Sequence, residues 1–290
     1  MFKKKLMAGF TALALCFSLG ACGGTGTTQG ATQGATSASG DTASQDNAAQ
    51  DDIGSEDYAK VREKGKLVVG ITDFEPMDYK DEAGNWIGFD AEMATAFAHS
   101  LDVEVEFVEI DWDNKALELS SGAIDCVWNG MTLTDEVKSA MDCSKAYCNN
   151  AQVVIVPADK ADQYKTVESL KDLKFAVEAG SAGEAEANNN GLTCTPVQSQ
   201  ANALMEVAAG TSDAAIIDSL MAAAMVGEGT SYENLTYTVG LNDEEYGVGF
   251  RKGSDLVPLL NKYFQVAYVD GTMPSLAEKY GVQAAIIEQK

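Results

Sequence analysis

Six cysteines, one histidine and a pair of carboxylates, Glu178 and Asp218, are the side chains of this 290-residue chain whose types suit chemistry. A structural metal needs Cys or His ligands at fixed spacing. The Cys143-x4-Cys148 segment has no second pair at ligand spacing, and His99 falls in a helical pattern far from it in sequence. His99 is therefore read as a helix residue at or near the surface, and neither a metal nor a cofactor is expected. General acid–base catalysis needs an acid and a base side by side; were the chain an enzyme, Glu178 with Asp218 would be the one pair to suggest. Cys126, Cys143, Cys148 and Cys194 allow three complete pairings in an oxidising compartment, although a domain of this size does not depend on them.

The other two cysteines belong to the N-terminus. Lys3, Lys4 and Lys5 precede an apolar stretch from Leu6 to Leu19, followed by Gly20, Ala21 and Cys22. That is the layout of a secretory signal peptide, and the stretch is shorter than the roughly 20 residues of a membrane-spanning helix. Leu19-Gly20-Ala21-Cys22 resembles the lipobox of bacterial lipoproteins, which implies cleavage before Cys22 and diacylglycerol on its thiol. Acyl chains there would supply a membrane hold. From Gly23 to about Gln50 the chain is Gly, Thr, Gln, Ala, Ser and Asp with a single Asn and no aromatic residue, too polar to bury a core. Residues 22–57 are expected to be a lipidated, disordered tether with a mean reach of roughly 30 Å. The exported protein is expected on the outer side of the cell membrane.

Loss of residues 1–21 removes three lysines and no acid, so the formal net charge moves from -24 to -27. An acidic surface argues against nucleic acid and anionic lipid as charge partners. Only two arginines occur, Arg62 and Arg251. The remainder, from about Tyr58, is long enough for two core-bearing lobes.

Those lobes are read from alternating periodicities. Lys66 to Ile71 is a buried strand, Asp81 to Asn85 a hairpin turn, and Asp90 a cap for a helix with Met93, Ala94, Phe97, Ala98 and Leu101 on one face. Val103 to Val108 alternates with period two as a half-exposed strand does. A helix over Asp113 to Ser120 ends at Gly122, and a strand follows over Ala123 to Trp128. The pattern restarts with strands at Gln152 to Pro157 and Lys174 to Val177. A helix follows Gly180, another runs from Ala201 to Ala209, and a strand over Asp213 to Ile217 leads into Asp218 and an Ala/Met-rich helix. A return strand over Glu245 to Phe250 and helices over Asp255 to Asp270 and Pro274 to Tyr280 complete the chain. The expectation is an α/β fold of two lobes, each a central mostly parallel sheet flanked by helices. The first lobe takes 58–153 and 248–290, and the second takes 154–247. Two hinge crossings, near residues 153 to 157 and 244 to 249, join them.

The order and wording of these segments resemble the extracellular solute-binding proteins, family 3, that serve polar amino-acid ABC importers. The marks are Gly65-Lys66-Leu67, Phe74-Glu75-Pro76, Gly88-Phe89-Asp90, Asp111-Trp112-Asp113, Gly122-Ala123-Ile124-Asp125 and Gly130-Met131-Thr132-Leu133-Thr134. Ala179-Gly180-Ser181, Asp213 to Asp218 and Asp270-Gly271-Thr272 continue the series, which spans nearly all of residues 62 to 281. The resemblance implies a periplasmic-binding-protein fold that closes over a small ligand. It implies that Phe74 and Trp112 set aromatic rings against the ligand, where a ring face attracts a cation. Asn129, Gly130 and Thr132 would face the cleft from a strand end, Thr132 being the better choice. Ser181 would offer a helix N-terminus to a ligand carboxylate, and Asp218 would pair with the ligand's amino group. Plain packing for the two aromatic residues, and plain helix capping for Ser181 and Asp218, are the alternative readings.

One family feature is missing. The arginine expected to grip the ligand carboxylate is replaced by Val137, with Thr132, Thr134, Asp142 and Ser144 fixing the register. Neighbouring Lys138 lacks the planar fork of an arginine, and Arg62 and Arg251 stand elsewhere. The grip must come from Thr132, Ser181 and backbone N–H groups or from an unplaced lysine, or be absent because the ligand is not a standard α-amino acid. The leading expectation is a monomeric, non-catalytic binding lipoprotein that delivers an amino acid or related amine to a membrane permease. A dehydratase-like enzyme using Glu178 and Asp218, or an extracellular sensor, is the alternative.

Overall fold

The computed structural model describes residues 56–290; the expected signal segment, Cys22 and the tether up to residue 55 lie outside them. The chain runs through α1 (Asp57–Lys64), β1 (Lys66–Ile71), a short hairpin of β2 (Tyr79–Lys80) and β3 (Trp86–Ile87), α2 (Phe89–Ser100) and β4 (Glu104–Glu109). Next come α3 (Lys115–Ser121), β5 (Cys126–Thr132), α4 (Asp135–Ala140), β6 (Asp142–Cys143), β7 (Cys148–Asn150) and β8 (Gln152–Pro157). These are followed by β9 (Lys174–Glu178), α5 (Ala182–Asn189), β10 (Thr193–Val197), α6 (Gln200–Ala209), β11 (Ala214–Asp218) and α7 (Ser219–Met225). The last elements are β12 (Leu235–Gly240), β13 (Glu244–Phe250), α8 (Leu256–Val269) and α9 (Thr272–Lys279).

Two sheets organise these elements. The first has the order β4-β1-β5-β13-β6, with β7 also paired to β13, and the second has the order β10-β9-β11-β8-β12. The two-lobed α/β class therefore stands, with a refinement of the mostly parallel sheets. In each, three strands run parallel, β4-β1-β5 in one and β10-β9-β11 in the other, and the remaining pairings are antiparallel. A parallel neighbour needs a crossover, usually helical. β8 and β13 arrive straight from the other sheet without one. The chain leaves the first sheet between Asn150 and Gln152 and returns to it between Gly240 and Glu244, a few residues ahead of the expected boundaries at 153/154 and 247/248.

The continuous apolar runs are explained by helices on both faces of each sheet. Leu67, Val69, Ile71, Trp128 and Phe250 pack with Phe97 and Phe264 on one side of the first sheet, while Val68, Val127 and Met131 meet Leu119 and Val137 on the other. In the second sheet Val154, Val156, Phe175, Val177 and Ile216 form a separate cluster with Ala187 of α5. β4 lies at an edge, with Glu104, Glu106 and Glu109 exposed, charges that discourage pairing with another chain.

Three local expectations are corrected. Asp57 is not linker: it opens α1, is 4% exposed, and receives Arg251 Nε at 3.1 Å. Asp90 is not the cap of α2, since Gly88 holds that position and Asp90 is fully buried. The strand expected to end at Trp128 begins later and runs through Asn129 and Gly130 to Thr132. Asn-Gly is a turn signal, but here a register shift in the pairing of β5 with β13 absorbs it.

Candidate functional site

A cavity of about 460 Å³ lies between the two lobes, within the range of roughly 300–1,000 Å³ that suits a small ligand. Trp112, Asn129, Gly130, Thr132, Ser181 and Asp218 all line it. They come from the carboxyl ends of β5 and β11 and the turns before α3 and α5, where open α/β sheets place their ligand sites. Phe74 is the exception. It is 1% exposed and outside the lining, with its ring edge-to-face on Tyr246 at 6.3 Å between centroids. It presses on Gly130 from behind: Gly130 has φ +54°, and a Cβ there would come within 2.4 Å of Phe74 Cε1. The expected ligand-facing ring is a prop for the cavity floor.

The floor is fixed by hydrogen bonds. Thr72 N–H donates to Asn129 Oδ1 at 2.7 Å, and Asn129 Nδ2 donates to Thr72 Oγ1 at 2.9 Å, tying β5 to the end of β1. Gly130 N–H donates to Asp90 Oδ2 at 2.7 Å, and Tyr147 OH donates to the same oxygen at 2.6 Å. Burial pushes the Asp90 carboxyl up to about 7 against the pull of those two donors. Asp78, also fully buried, is raised well above the ordinary range by burial and by Asp90.

Asp218 is the hub of the second lobe's contribution. Tyr246 OH donates to its Oδ1 at 2.8 Å and Gln152 Nε2 at 2.9 Å, Asn150 Nδ2 donates to the same oxygen, and Gln200 Nε2 donates to Oδ2. It stands at the N-cap position of α7 but makes no capping bond with its side chain, so the capping alternative does not describe it. Asn150 and Gln152 also donate to Glu244 Oε1, at 2.6 and 2.8 Å. Burial and the Glu244 charge raise the Asp218 carboxyl well above its ordinary value. Thr132 gives its hydroxyl to Glu244 Oε1 at 2.9 Å, so this favoured threonine is already engaged.

The anion-receiving end expected at Ser181 is engaged as well. Ser181 Oγ accepts from Glu184 N–H at 3.1 Å as the N-cap of α5, while Gly180 N–H donates to Glu184 Oε2 at 2.7 Å. That reciprocal arrangement puts the protein's own carboxylate beside the positive end of the helix. Val137, at the position of the missing arginine, lines the cavity and packs in the apolar cluster of Trp112 and Met141. Arg62 binds Asp102 and Leu101 O, and Arg251 binds Asp57, Asp125 and two carbonyls; neither lines the cavity.

One lysine, Lys115, stands in the cavity. It lines the cavity and donates to Gly180 O at 2.8 Å and Trp112 O at 3.2 Å, with its ammonium 4.9 Å from the centre of the Trp112 ring. Burial lowers its pKa. It is the lone cation among the described lining residues, against Asp113, Glu136, Glu178, Glu184 and Asp218. The Lys115–Gly180 bond bridges the lobes, since Lys115 follows β4 and Gly180 follows β9. Sequence reasoning named Glu178 only as an acid–base partner; it is 3% exposed, and burial lifts it to about 8 despite the Lys115 charge. Among the described residues no cluster of metal-ligating side chains occurs, and no helix is long and apolar enough to cross a membrane. Cys126, Cys143, Cys148 and Cys194 are free thiols.

Comparison with known proteins adds the family. Residues 67–283 match the family of bacterial extracellular solute-binding proteins, family 3. The L-cystine-binding protein TcyJ of Escherichia coli is 30% identical over 226 residues, covering 76% of this chain and 84% of TcyJ. Among solved structures, an ancestral amino acid-binding protein that is a precursor of cyclohexadienyl dehydratase aligns with a TM-score of 0.71 at 33% identity, over 77% of this chain and 98% of that one. A substrate-binding protein of an ABC uptake transporter from Streptococcus pneumoniae, with bound histidine, aligns with a TM-score of 0.72 at 29% identity, over 79% and 98%. With this cleft and this match over most of its length, the chain belongs to the bacterial extracellular solute-binding proteins, family 3.

Proposed function

We propose that this protein captures an amino acid or a related amine-bearing solute between its two lobes and delivers it to the permease of an ABC importer, without chemical change. The observation that carries the reading is the cavity itself: it is lined from both sheets, rich in carboxylates, and crossed by Lys115. Such a site favours a cationic guest through electrostatic complementarity. Domain closure over the ligand, with bending at residues 150–152 and 240–244, is the motion that family membership supports. A ligand that binds only the folded state raises the melting temperature by mass action. A thermal-shift screen with L-arginine, L-histidine, L-cystine, neutral amino acids and small diamines is expected to give one or a few strong stabilisers; a screen without any would end this reading.

Anchoring by diacylglycerol on Cys22 belongs to the same proposal, since a tethered receptor stays near its permease. Expressed in a bacterial host, the full chain should partition with membranes, and Cys22→Ala should release it to the soluble fraction. Equal partitioning of the two would remove the anchor. A dehydratase-like activity has one observation in its favour, the Glu178 carboxyl held protonated to about pH 8, as a general acid needs to be. Its intended partner Asp218 is already met by four side-chain donors, which leaves the pair without a free base. Turnover of cyclohexadienyl acids would reverse that judgement.

A further inference from the structure

The sequence pointed to Asp218 as the carboxylate for a ligand's amino group, but the hydrogen bonds distribute the two lining carboxylates differently. Oδ1 of Asp218 accepts from Tyr246, Asn150 and Gln152, and Oδ2 accepts from Gln200. A carboxylate has about four lone-pair sites in all, so Asp218 has little left to give an incoming ammonium. Glu178, the last residue of β9, is in the opposite state. It is 3% exposed and lines the cavity, and its Oε1 has no hydrogen-bond partner. Native proteins rarely leave a buried oxygen unpartnered without a role.

The surroundings exclude the simplest occupants for that oxygen. Lys115, the nearby cation, spends its bonds on Gly180 O and Trp112 O and faces the Trp112 ring. Gln200, which donates to Asp218 Oδ2 and accepts the Asp218 N–H at 2.8 Å, also bonds the Glu178 carboxyl, as does Thr72, yet Oε1 stays unpartnered. The lining has no arginine, and the N-terminal turn of α5 already holds Glu184. The site is thus poor in anion receptors, and Glu178 Oε1 is its one buried acceptor left without a partner among the described residues, which suits an organic cation.

We propose that Glu178 is the ligand-contacting carboxylate of this cleft and receives an ammonium or guanidinium group, while Asp218 positions the floor through Gln200, Tyr246 and the amides of Asn150 and Gln152. The assignment rests on the reading of this protein as an amine-binding receptor and names which carboxylate makes the contact. It also specifies the ligand: an organic cation bound chiefly through its positive end, since a firm carboxylate grip is missing.

The test is calorimetric titration of the full chain with L-arginine, L-histidine, putrescine, L-glutamine and L-glutamate. At least one of the three cations is expected to bind more tightly than L-glutamine and L-glutamate. Glu178→Gln, which keeps shape and removes charge, is expected to weaken that cation at least tenfold while raising or preserving the unliganded melting temperature. Glu178→Asp, which retains a carboxylate one methylene back, is expected to recover part of the loss. Wild-type affinity in Glu178→Gln would overturn the assignment and leave the amine-receptor reading intact. Preference of the wild type for L-glutamine or L-glutamate would overturn it too. Binding of none of the five by the wild type would sink the assignment together with the amine-receptor reading.

Discussion

Glu178 sits where its charge is costly, because burial disfavours the ionised form by more than Lys115, Gln200 and Thr72 favour it, and the balance lifts its pKa to about 8. A cation that binds ionised Glu178 must displace the proton first. The groups facing it are Lys115 from α3, Asp218 from β11, Asp113 and Glu136 across the cleft, and Glu184 on α5. By linkage, affinity for a bound cation such as L-arginine is expected to rise by up to about tenfold per pH unit from pH 6 towards 8, and to flatten above it. Titration calorimetry at pH 6, 7 and 8 reads this directly, and Glu178→Gln should give a level profile. A slope unchanged in that variant would assign the proton to another group. The absence of an arginine was legible from Val137 alone, because Thr132 and Asp142 fix its place. That Glu178 and not Asp218 keeps a free oxygen was not legible, since it depends on where the amides of Asn150, Gln152 and Gln200 point.

Elements with a strong period were readable, and those without one were not. β1, β8, β9, α6 and α8 lie within a residue or two of their expected bounds, each carrying an apolar run or stripe with a Gly or polar stop. β10, with the sequence Thr193-Cys194-Thr195-Pro196-Val197, and β12 were missed because both are edge strands with few buried side chains; Pro196 itself argues against a strand. The short α4 is set by its Thr134 cap, which accepts from Val137 N–H at 3.1 Å, and not by length or period. The turn between β9 and α5 shows what such local detail does for the site. Gly180 has φ +68°, and a Cβ there would lie 2.7 Å from Asp113 Cα on the facing lobe. Gly180→Ala is therefore expected to cost about 1 kcal/mol through its left-handed backbone, and more in the closed arrangement that brings Asp113 up to it. The outcome to measure is a drop in ligand affinity of tenfold or more with a melting temperature only a few degrees lower. An affinity equal to wild type would mean that the bound form keeps the lobes farther apart.

At the scale of the whole molecule, four of the buried acids act in one direction. Asp90 is raised to about 7, Glu178 to about 8, and Asp78 and Asp218 well above their ordinary values, all chiefly by burial. A carboxyl whose folded pKa exceeds its unfolded value holds more protons when folded, so its contribution is fully present below pH 4 and is lost as pH rises through the folded pKa. Asp57, Asp81, Asp142, Asp162 and Asp270 are lowered, and their opposite effect is confined to acid solution below about pH 4. Lys115, lowered by burial, works at the alkaline end. Between pH 5 and 8 the raised acids dominate, and the formal net charge of -24 adds self-repulsion as they ionise. The unliganded protein should therefore melt several degrees higher at pH 5.5 than at pH 8, taking roughly 2–4 °C per kcal/mol for a domain of this size. Asp90→Asn should narrow that difference by removing the titration centred on about 7, with Tyr147 still able to donate to the amide oxygen in place of Asp90 Oδ2. Scanning calorimetry of wild type and variant across that range decides it: equal melting temperatures at the two pH values would mean that the floor of the cleft admits enough water to keep these carboxyls ordinary.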